Sequence, residues 1–447
     1  WTPYWEDGAG SSARETAINR ASAERLVQAE TLWAMLNLPR FSAAEFQEAW
    51  QNVLLYSEHT WGAHNSITEP ESQFVKDQWK IKQAFALDGE TQSLRLLQSA
   101  LGSANKSDSP ADCFTVFNTC SSSRTDTATI PKSLSSTGDV VVDSGGRTIP
   151  SQRLNNGDLL FVAGNLPPFS AQTYRVQTGT PAIQDRVTIR DLILDNGLLS
   201  VRLDSKTGAI VELRTQGSDI NMADNESIAL NDYFFVAGSD TQNPLRCGDV
   251  RITVGERGPL AASLLVEAEA PGCNKLTREI RLIAGLDRVE IINMIDKKRA
   301  EVYGKKGDWK HAGQESKEGL HFGFAFHIPD GVMRMDVPWA IVRPETDQLP
   351  GACKNWFTVQ RWVDVSNDQY GVTWATIDAP LVEVGTITAN LLAPIVISKE
   401  RRIGAQALLK AGEYGVRHEV SVLPGSSGSS GGSGGGGHSG SSCGGAA

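Results

Sequence analysis

Near residue 105 the hydrophobic period of this chain changes from about 3.6 residues to 2, and no single layer of structure satisfies both. From Ser11 to about Leu101 the chain reads as helix, cut into three pieces by Pro39, Gly62 and Pro70. In the first piece Leu26, Ala29, Trp33 and Leu36 recur at spacings of three and four and share a face. The second opens with Ser42 and Glu45, the pattern of a capping box, and continues with an apolar stripe of Phe46, Trp50, Val53 and Leu54. The third, from near Glu71, is expected to turn Phe74, Ile81 and Phe85, then Leu94, Leu97 and Leu101, inward. Three amphipathic helices with short joints predict a small bundle.

Beyond the polar stretch Ser103 to Asp112, β-branched and aromatic residues bounded by turn signals dominate for roughly 300 residues. Leu192 and Leu194 alternate up to Asn196-Gly197, and Leu199, Val201 and Leu203 alternate away, which predicts a hairpin. A second hairpin runs from Ile280 and Leu282 through Gly285-Leu-Asp-Arg288 into Val289, Ile291, Asn293 and Ile295. So many strands without intervening helices imply stacked antiparallel sheets. The expected fold class is α+β multi-domain, a three-helix bundle followed by antiparallel β-sandwich domains. The expected boundaries are the bundle at 1–105, a small sandwich at 112–184, a large sandwich at 185–424 and a Gly/Ser tail at 425–447. That tail buries too little apolar surface to offset the entropy of ordering. A length of 447 residues suits several domains.

Net charge is −10, which argues against a phosphate backbone as partner, so no nucleic acid is expected. No run of about 18 uncharged apolar residues occurs, so no membrane span is expected either. A neutral or small polar ligand fits better. Cys113, Cys120, Cys247, Cys273 and Cys353 are sparse and form no Cys-x-x-Cys pair, so they read as free, buried thiols, with a Cys113–Cys120 disulfide left open. The chain starts at Trp1 without a signal-peptide pattern, which reads as a fragment whose compartment cannot be assigned from this end.

Catalytic signatures are scarce: there is no Walker loop, no His-Glu-x-x-His and no dinucleotide fingerprint. Gly431-Gly-Ser-Gly-Gly435 matches a nucleophile elbow only inside low complexity, where chance supplies such matches. The most unusual cluster is Glu58-His59-Thr-Trp-Gly-Ala-His64-Asn65-Ser66, where the second helix ends. His59 there suits a metal or a hydroxyl, or a cation favoured by the helix dipole. His59 and His64 are five apart, which is not a standard zinc pair. Tyr4-Trp5-Glu6-Asp7-Gly8 sets an aromatic platform beside carboxylates, which suits a sugar or a staple for the bundle's entry.

Tyr4-Trp5 followed by Ser11-Ser12-Ala13-Arg14, Asn19-Arg20, Ala29-Glu30 and Leu32 resembles a segment of glycoside hydrolase family 38 alpha-mannosidases, the one that leaves the catalytic barrel for the helical middle domain. Trp50-Gln-Asn-Val-Leu-Leu55, His59-Thr60, Gly62 and Ser66-Ile67 resemble the family's segment in which a helix ends at a zinc-ligand His followed by an Asp. The resemblance implies that His59 is a zinc ligand and that Trp5 stacks on the mannose. Thr60 stands where the family has the Asp, so a substrate contact there would lack a carboxylate's charge. The similarity continues through Val116-Phe-Asn118, Arg124-Thr-Asp126, Lys206-Thr-Gly208, Arg278-Glu-Ile280, Arg288-Val-Glu290, Asn293, Asp296-Lys297 and the run Phe357 to Asn367 that leads to Gly371-Val-Thr. It covers about residues 1–391, and a frame-shifted end would account for the loss of resemblance after Leu392.

The resemblance further implies that the large sandwich is a galactose-mutarotase-like supersandwich. It implies a zinc-dependent retaining exo-glycosidase acting on an alpha-mannoside or related glycan, with an Asp nucleophile that forms a glycosyl-enzyme. In the family the nucleophile and the other zinc ligands lie on the barrel, expected upstream of Trp1 and acting in cis, so this chain alone is expected to bind zinc weakly and to lack turnover. A homo-oligomer is compatible with all of this. Two other classes stand beside it. A polysaccharide lyase would need a clustered Asn, His, Tyr and Arg set and a longer helical part. A non-catalytic carbohydrate-binding or scaffold unit would be complete as it stands, whereas exposed apolar patches on the bundle would argue for a severed interface.

Overall fold

The computed structural model describes residues 12–39, 41–58, 64–65, 69, 71–104, 110–181, 186–224, 226, 228–237, 242–298, 318–352, 354, 356–385, 387, 402–407 and 412–423. Three helices come first: α1 (Ala13–Met35), α2 (Ala43–Tyr56) and α3 (Gln73–Ala104). Their core holds Leu26, Ala29, Phe46, Ala49, Val53 and Leu96, with Trp33 packed at its edge. Past the end of α1, Asn37 takes a φ of 47°, the left-handed conformation that stops a helix and that Asn tolerates.

The bundle departs from the periodicity reading in two respects. The buried face of α3 is Val75, Lys82, Ala86, Gly89, Ser93, Leu96 and Ala100, while Phe74, Ile81 and Leu94 point outward. Gly89 lies on this buried side facing α2, where an added Cβ would lie 3.7 Å from Val53, an ordinary van der Waals contact. Leu54 is likewise exposed rather than part of the inner stripe of α2. Ser42 is the N-cap residue of α2, but its side chain makes no capping bond. Glu45 reaches instead to Arg95 on α3 at 3.4 Å, so the capping box does not form.

The β region follows as expected. A four-stranded sheet beginning at Cys113–Asn118 and a three-stranded sheet beginning at Arg124–Ile130 enclose Ile130, Val141, Leu159, Phe161, Tyr174 and Val176 as a small sandwich. The large unit shares one core among sheets of four, five and nine strands. In the nine-stranded sheet the order runs Val250–Arg257, Ala261–Ala268, Cys273–Ile283, Arg288–Lys297, Gly412–Leu423, Gly371–Thr376, Trp362–Ser366, Val332–Val337 and Ala340–Val342. Both anticipated hairpins form: Val201 pairs with Leu194 across Asn196-Gly197, and Leu282 pairs with Val289 across the Gly285 turn. Cys113 and Cys120 are free thiols, so the disulfide left open by their spacing is not made. Among the described residues no helix is long and apolar enough to cross a membrane.

Candidate functional site

The end of α2 is held from three sides. Tyr56, the last helical residue, places its hydroxyl 3.1 Å from Ser12 Oγ and 3.0 Å from Thr16 Oγ1 of α1. Burial pushes its pKa well above the ordinary phenol value, so it stays a neutral hydrogen-bonding strut. Asn19 donates from Nδ2 to the Val53 carbonyl at 3.3 Å and to Ser57 Oγ at 3.2 Å. Lys82 crosses from α3 and donates from Nζ to the carbonyls of Leu55 and Glu58, both at 3.1 Å. A buried ammonium here satisfies the orphan carbonyls of a helix C-terminus and complements its partial negative charge. The backbone up to Glu58, the residue before His59, is therefore fixed.

His59 itself lies outside the described residues, as do Thr60 and Trp5. His64 is described and exposed, its ring set edge-on to Phe74 at 5.5 Å, and its carbonyl accepts from Gln78 Nε2. Among the described residues no three His, Cys, Asp or Glu side chains gather to hold a metal.

Asn19 and Arg20 are neighbours in α1 with opposite duties. Where Asn19 grips α2, Arg20 grips the large sandwich: its guanidinium donates to the carbonyls of Ile377 (3.0 Å), Gln360 (2.7 Å), Thr376 (2.7 Å) and Val359 (3.5 Å). Burial lowers the Arg20 pKa to about 10, against the raising fields of Asp378 and Glu24, which leaves it charged at neutral pH. One turn on, Glu24 pairs with Arg361 at 2.6 Å. Thus α1 rigidly couples the end of α2 to the sandwich loop 359–361. Asn19-Arg20 could be singled out only through family resemblance, because neither polar residue breaks the helical period. Lys82 and Tyr56 went unnoticed, since a buried Lys carries no periodic signal.

The polar pairs quoted for the β region turn out to be joints between elements. Arg278 is fully buried and donates from Nη1 to the Asn231 carbonyl at 3.0 Å and from Nη2 to the Thr207 carbonyl. Gly208, at φ 68°, sits against it, and a Cβ there would come within 2.9 Å of Arg278 Nη2. Asn231 and Asn293 exchange side-chain amide bonds of 2.9 and 2.7 Å. Arg288 links the two sandwiches, pairing with Asp126 at 2.6 Å and Glu290 at 3.1 Å. The fields of Arg288 and Arg124, with their hydrogen bonds, outweigh desolvation and hold the Asp126 carboxyl below its usual range. Asp364 accepts from Ser366 Oγ and Thr373 Oγ1 within its own sheet. None of these groups is arranged for proton transfer to a ligand.

Comparison with known proteins gives this architecture a relationship. Residues 194–377 match the model of the Glycosyl hydrolases family 38 C-terminal domain. A second model, FliW protein, matches residues 363–420 and overlaps the first. No protein of curated function matches the chain. An alpha-mannosidase from Enterococcus faecalis V583 superposes with a TM-score of 0.65 at 13% identity, over 95% of this chain and 56% of that one. A protein in the glycosyl hydrolase family 38 from Enterococcus faecalis gives 0.64 at 13% identity, over 94% of this chain and 57% of that one. The chain thus resembles the C-terminal region of family 38 alpha-mannosidases in fold, and spans little more than half the length of these solved structures.

Proposed function

We propose that this chain is the helical and β portion of a zinc-dependent retaining alpha-mannosidase of family 38, and that hydrolysis of alpha-linked mannosides belongs to the longer protein. The observation that carries the reading is the match of residues 194–377 to the family's C-terminal domain. A second observation agrees with it. Phe74 and Ile81 on α3, with Leu54 and Leu55 on α2, expose apolar side chains on the bundle that a complete unit would cover.

In this reading Trp5 offers a ring face to the sugar, Thr60 a hydroxyl, and His59 one imidazole donor to zinc. Zinc, when bound, would hold two adjacent sugar hydroxyls. A single imidazole completes neither a three-ligand nor a closed site, so the other donors and the nucleophile would come from outside this chain. The described residues contribute rigidity: Lys82, Tyr56 and Asn19 hold the backbone that leads into His59.

The test has two arms. The purified chain with added zinc and nitrophenyl alpha-mannoside is expected to release no nitrophenol, and release would overturn the claim that it lacks the nucleophile. The protein extended by its upstream coding sequence is expected to hydrolyse the same compound with retention, and His59→Ala is expected to lower its zinc content, read by atomic emission. Absence of hydrolysis, or unchanged zinc content, would overturn the reading.

A further inference from the structure

Asn followed by Gly occurs twice in the chain, at 156–157 and 196–197. Such a pair can close on itself, because glycine has no Cβ to keep its backbone nitrogen away from the preceding side-chain amide carbon. The fold treats the two pairs in opposite ways.

Asn196 is 3% exposed, and its amide is engaged with other segments on both atoms. Its Nδ2 donates to the carbonyls of Ile283 and Leu286, both at 2.8 Å, and its Oδ1 accepts from Leu198 N at 3.0 Å and Leu199 N at 2.8 Å. The amide carbon cannot turn, nor its nitrogen leave, without opening the hairpin. Asn156 is exposed, and its amide bonds only to Asp158 in the same turn: Oδ1 accepts from Asp158 N at 2.9 Å and Nδ2 donates to Asp158 Oδ2 at 2.8 Å. The attacking nitrogens are held alike, Gly157 N donating to the Leu154 carbonyl at 2.9 Å and Gly197 N to Asp195 Oδ1 at 2.8 Å. The difference therefore lies at the amide carbon, and bonds within an exposed turn open at little cost.

The turn that carries Asn156 is also a joint. It connects Ser151–Arg153 to Leu159–Leu166 of the small sandwich. Asn155 N donates to both Glu256 carboxylate oxygens, at 3.0 and 3.2 Å, and Asn155 Nδ2 to the Gly255 carbonyl at 3.0 Å. Nearby, buried Gln152 accepts from Leu260 N and Ala261 N at 2.9 Å and donates to the Ala261 carbonyl at 3.0 Å. Gly255, Glu256, Leu260 and Ala261 all belong to the hairpin of Val250–Arg257 and Ala261–Ala268 in the large sandwich.

We propose that Asn156 is a site of spontaneous deamidation through a succinimide, and that its conversion loosens this joint between the sandwiches. Gly157 N gives its proton to water and attacks Asn156 Cγ. The N–Cγ bond forms, the Cγ–Nδ2 bond breaks, and the amide nitrogen leaves as ammonia with a proton from water. One water then opens the ring. Cleavage of the N–Cγ bond leaves aspartate, and cleavage between that nitrogen and the Asn156 backbone carbon leaves isoaspartate, with the chain running through Cγ. Water is the only co-reactant and ammonia the only leaving group. The new carboxylate accepts hydrogen bonds but donates none, so a like charge replaces the donor that faced Asp158, next to the residue that holds Glu256.

The test is to incubate the folded 447-residue chain in mildly alkaline buffer and follow both sites by peptide mapping, with isoaspartate scored by electron-transfer fragmentation. Acid is expected at 156 at least about tenfold faster than at 196, since an interior amide reacts only when its surroundings open. Aspartate and isoaspartate should appear together there, and in urea the two sites should converge. Asn156→Gln, whose ring would have to be one atom larger, should stay an amide. Retention of the amide at 156, equal rates at the two sites in the folded chain, or aspartate without isoaspartate would overturn the site. Asn156→Asp reads the consequence: amides of residues 255–261 should exchange faster than in the parent while those of 289–295 do not change. Unchanged exchange at 255–261 would overturn the loosening.

Discussion

Arg20 and Thr376 are separated by 356 residues, yet the Arg20 guanidinium donates to the Thr376 carbonyl at 2.7 Å and to three further carbonyls around it. Thr376 ends the strand Gly371–Thr376 of the large sandwich, and Val359, Gln360 and Ile377 lie in the loops next to its strands. With the Glu24–Arg361 pair it ties bundle to sandwich among the described residues, and through Asn19 on the same helix it links the end of α2 to the β region.

Arg20→Met should therefore uncouple the two. A charged group hydrogen-bonded to buried carbonyls contributes about 1.5–3 kcal/mol, and the carbonyls left behind lose their donor. Hydrogen exchange is the measurement: α1 amides should exchange faster in the variant while the nine-stranded sheet keeps its protection. Unchanged exchange in α1 would show that apolar contacts alone hold the joint.

Gly208→Ala is expected to destabilise the large sandwich by about 2–4 kcal/mol, because it combines a positive φ with intrusion on Val266 and Arg278. Gly197→Ala, also at positive φ but with open space around it, should cost only the strain, about 1 kcal/mol. Urea midpoints of the two variants should fall in that order.

His418 gives the fold a pH dependence. It is buried among Phe322, Phe324 and Trp374, and this desolvation lowers its pKa from 6.5 to about 4 against the opposing field of Asp378. A histidine depressed in the folded state binds its proton more readily when unfolded. Its stabilising share is complete above pH 6.5 and is lost as pH falls through 4, a change on the order of 3 kcal/mol. Chemical denaturation of the parent between pH 7 and 4 should show that slope, and His418→Phe should flatten it. An identical slope in the variant would assign the acid sensitivity to other groups.

Ile81→Glu and Phe74→Glu change side chains that are exposed here, so stability should stay within about 0.5 kcal/mol. Self-association of the chain, followed by sedimentation velocity, should decrease. In the extended protein the same pair should lower stability, because there the stripe would be covered.

Much of this fold was legible from period alone. The three helices and both hairpins follow from spacing and composition, because each is set by local burial pattern and turn chemistry; of the thiols expected to be free and buried, Cys120 and Cys273 are both, Cys113 and Cys247 are free but partly exposed, and Cys353 lies outside the described residues. The facing of α3 was not. Large apolar side chains at 74, 81 and 94 outweighed Ala86, Gly89, Ser93 and Ala100 in the reading, although these small residues line the buried side of the helix. Arg278, Asn293 and Arg288 were singled out by resemblance, but spacing could not reveal that they bind the protein to itself. Ser42 and Glu45 matched a local pattern that a long-range partner, Arg95, overrode. At the candidate site the sequence named His59, Trp5 and Thr60, which lie outside the described residues, and it passed over Lys82, whose burial depends entirely on tertiary packing.

The grip of Arg20 is on main-chain oxygen alone, so tolerance at the two sides of the joint is unequal. Val359, Gln360, Thr376 and Ile377 can exchange their side chains and still present the same carbonyls, whereas nothing shorter or less forked than a guanidinium spans them all. A lock of this kind lets the sandwich rim drift in sequence, and with it whatever the rim touches, while the rod that carries the end of α2 keeps its bearing.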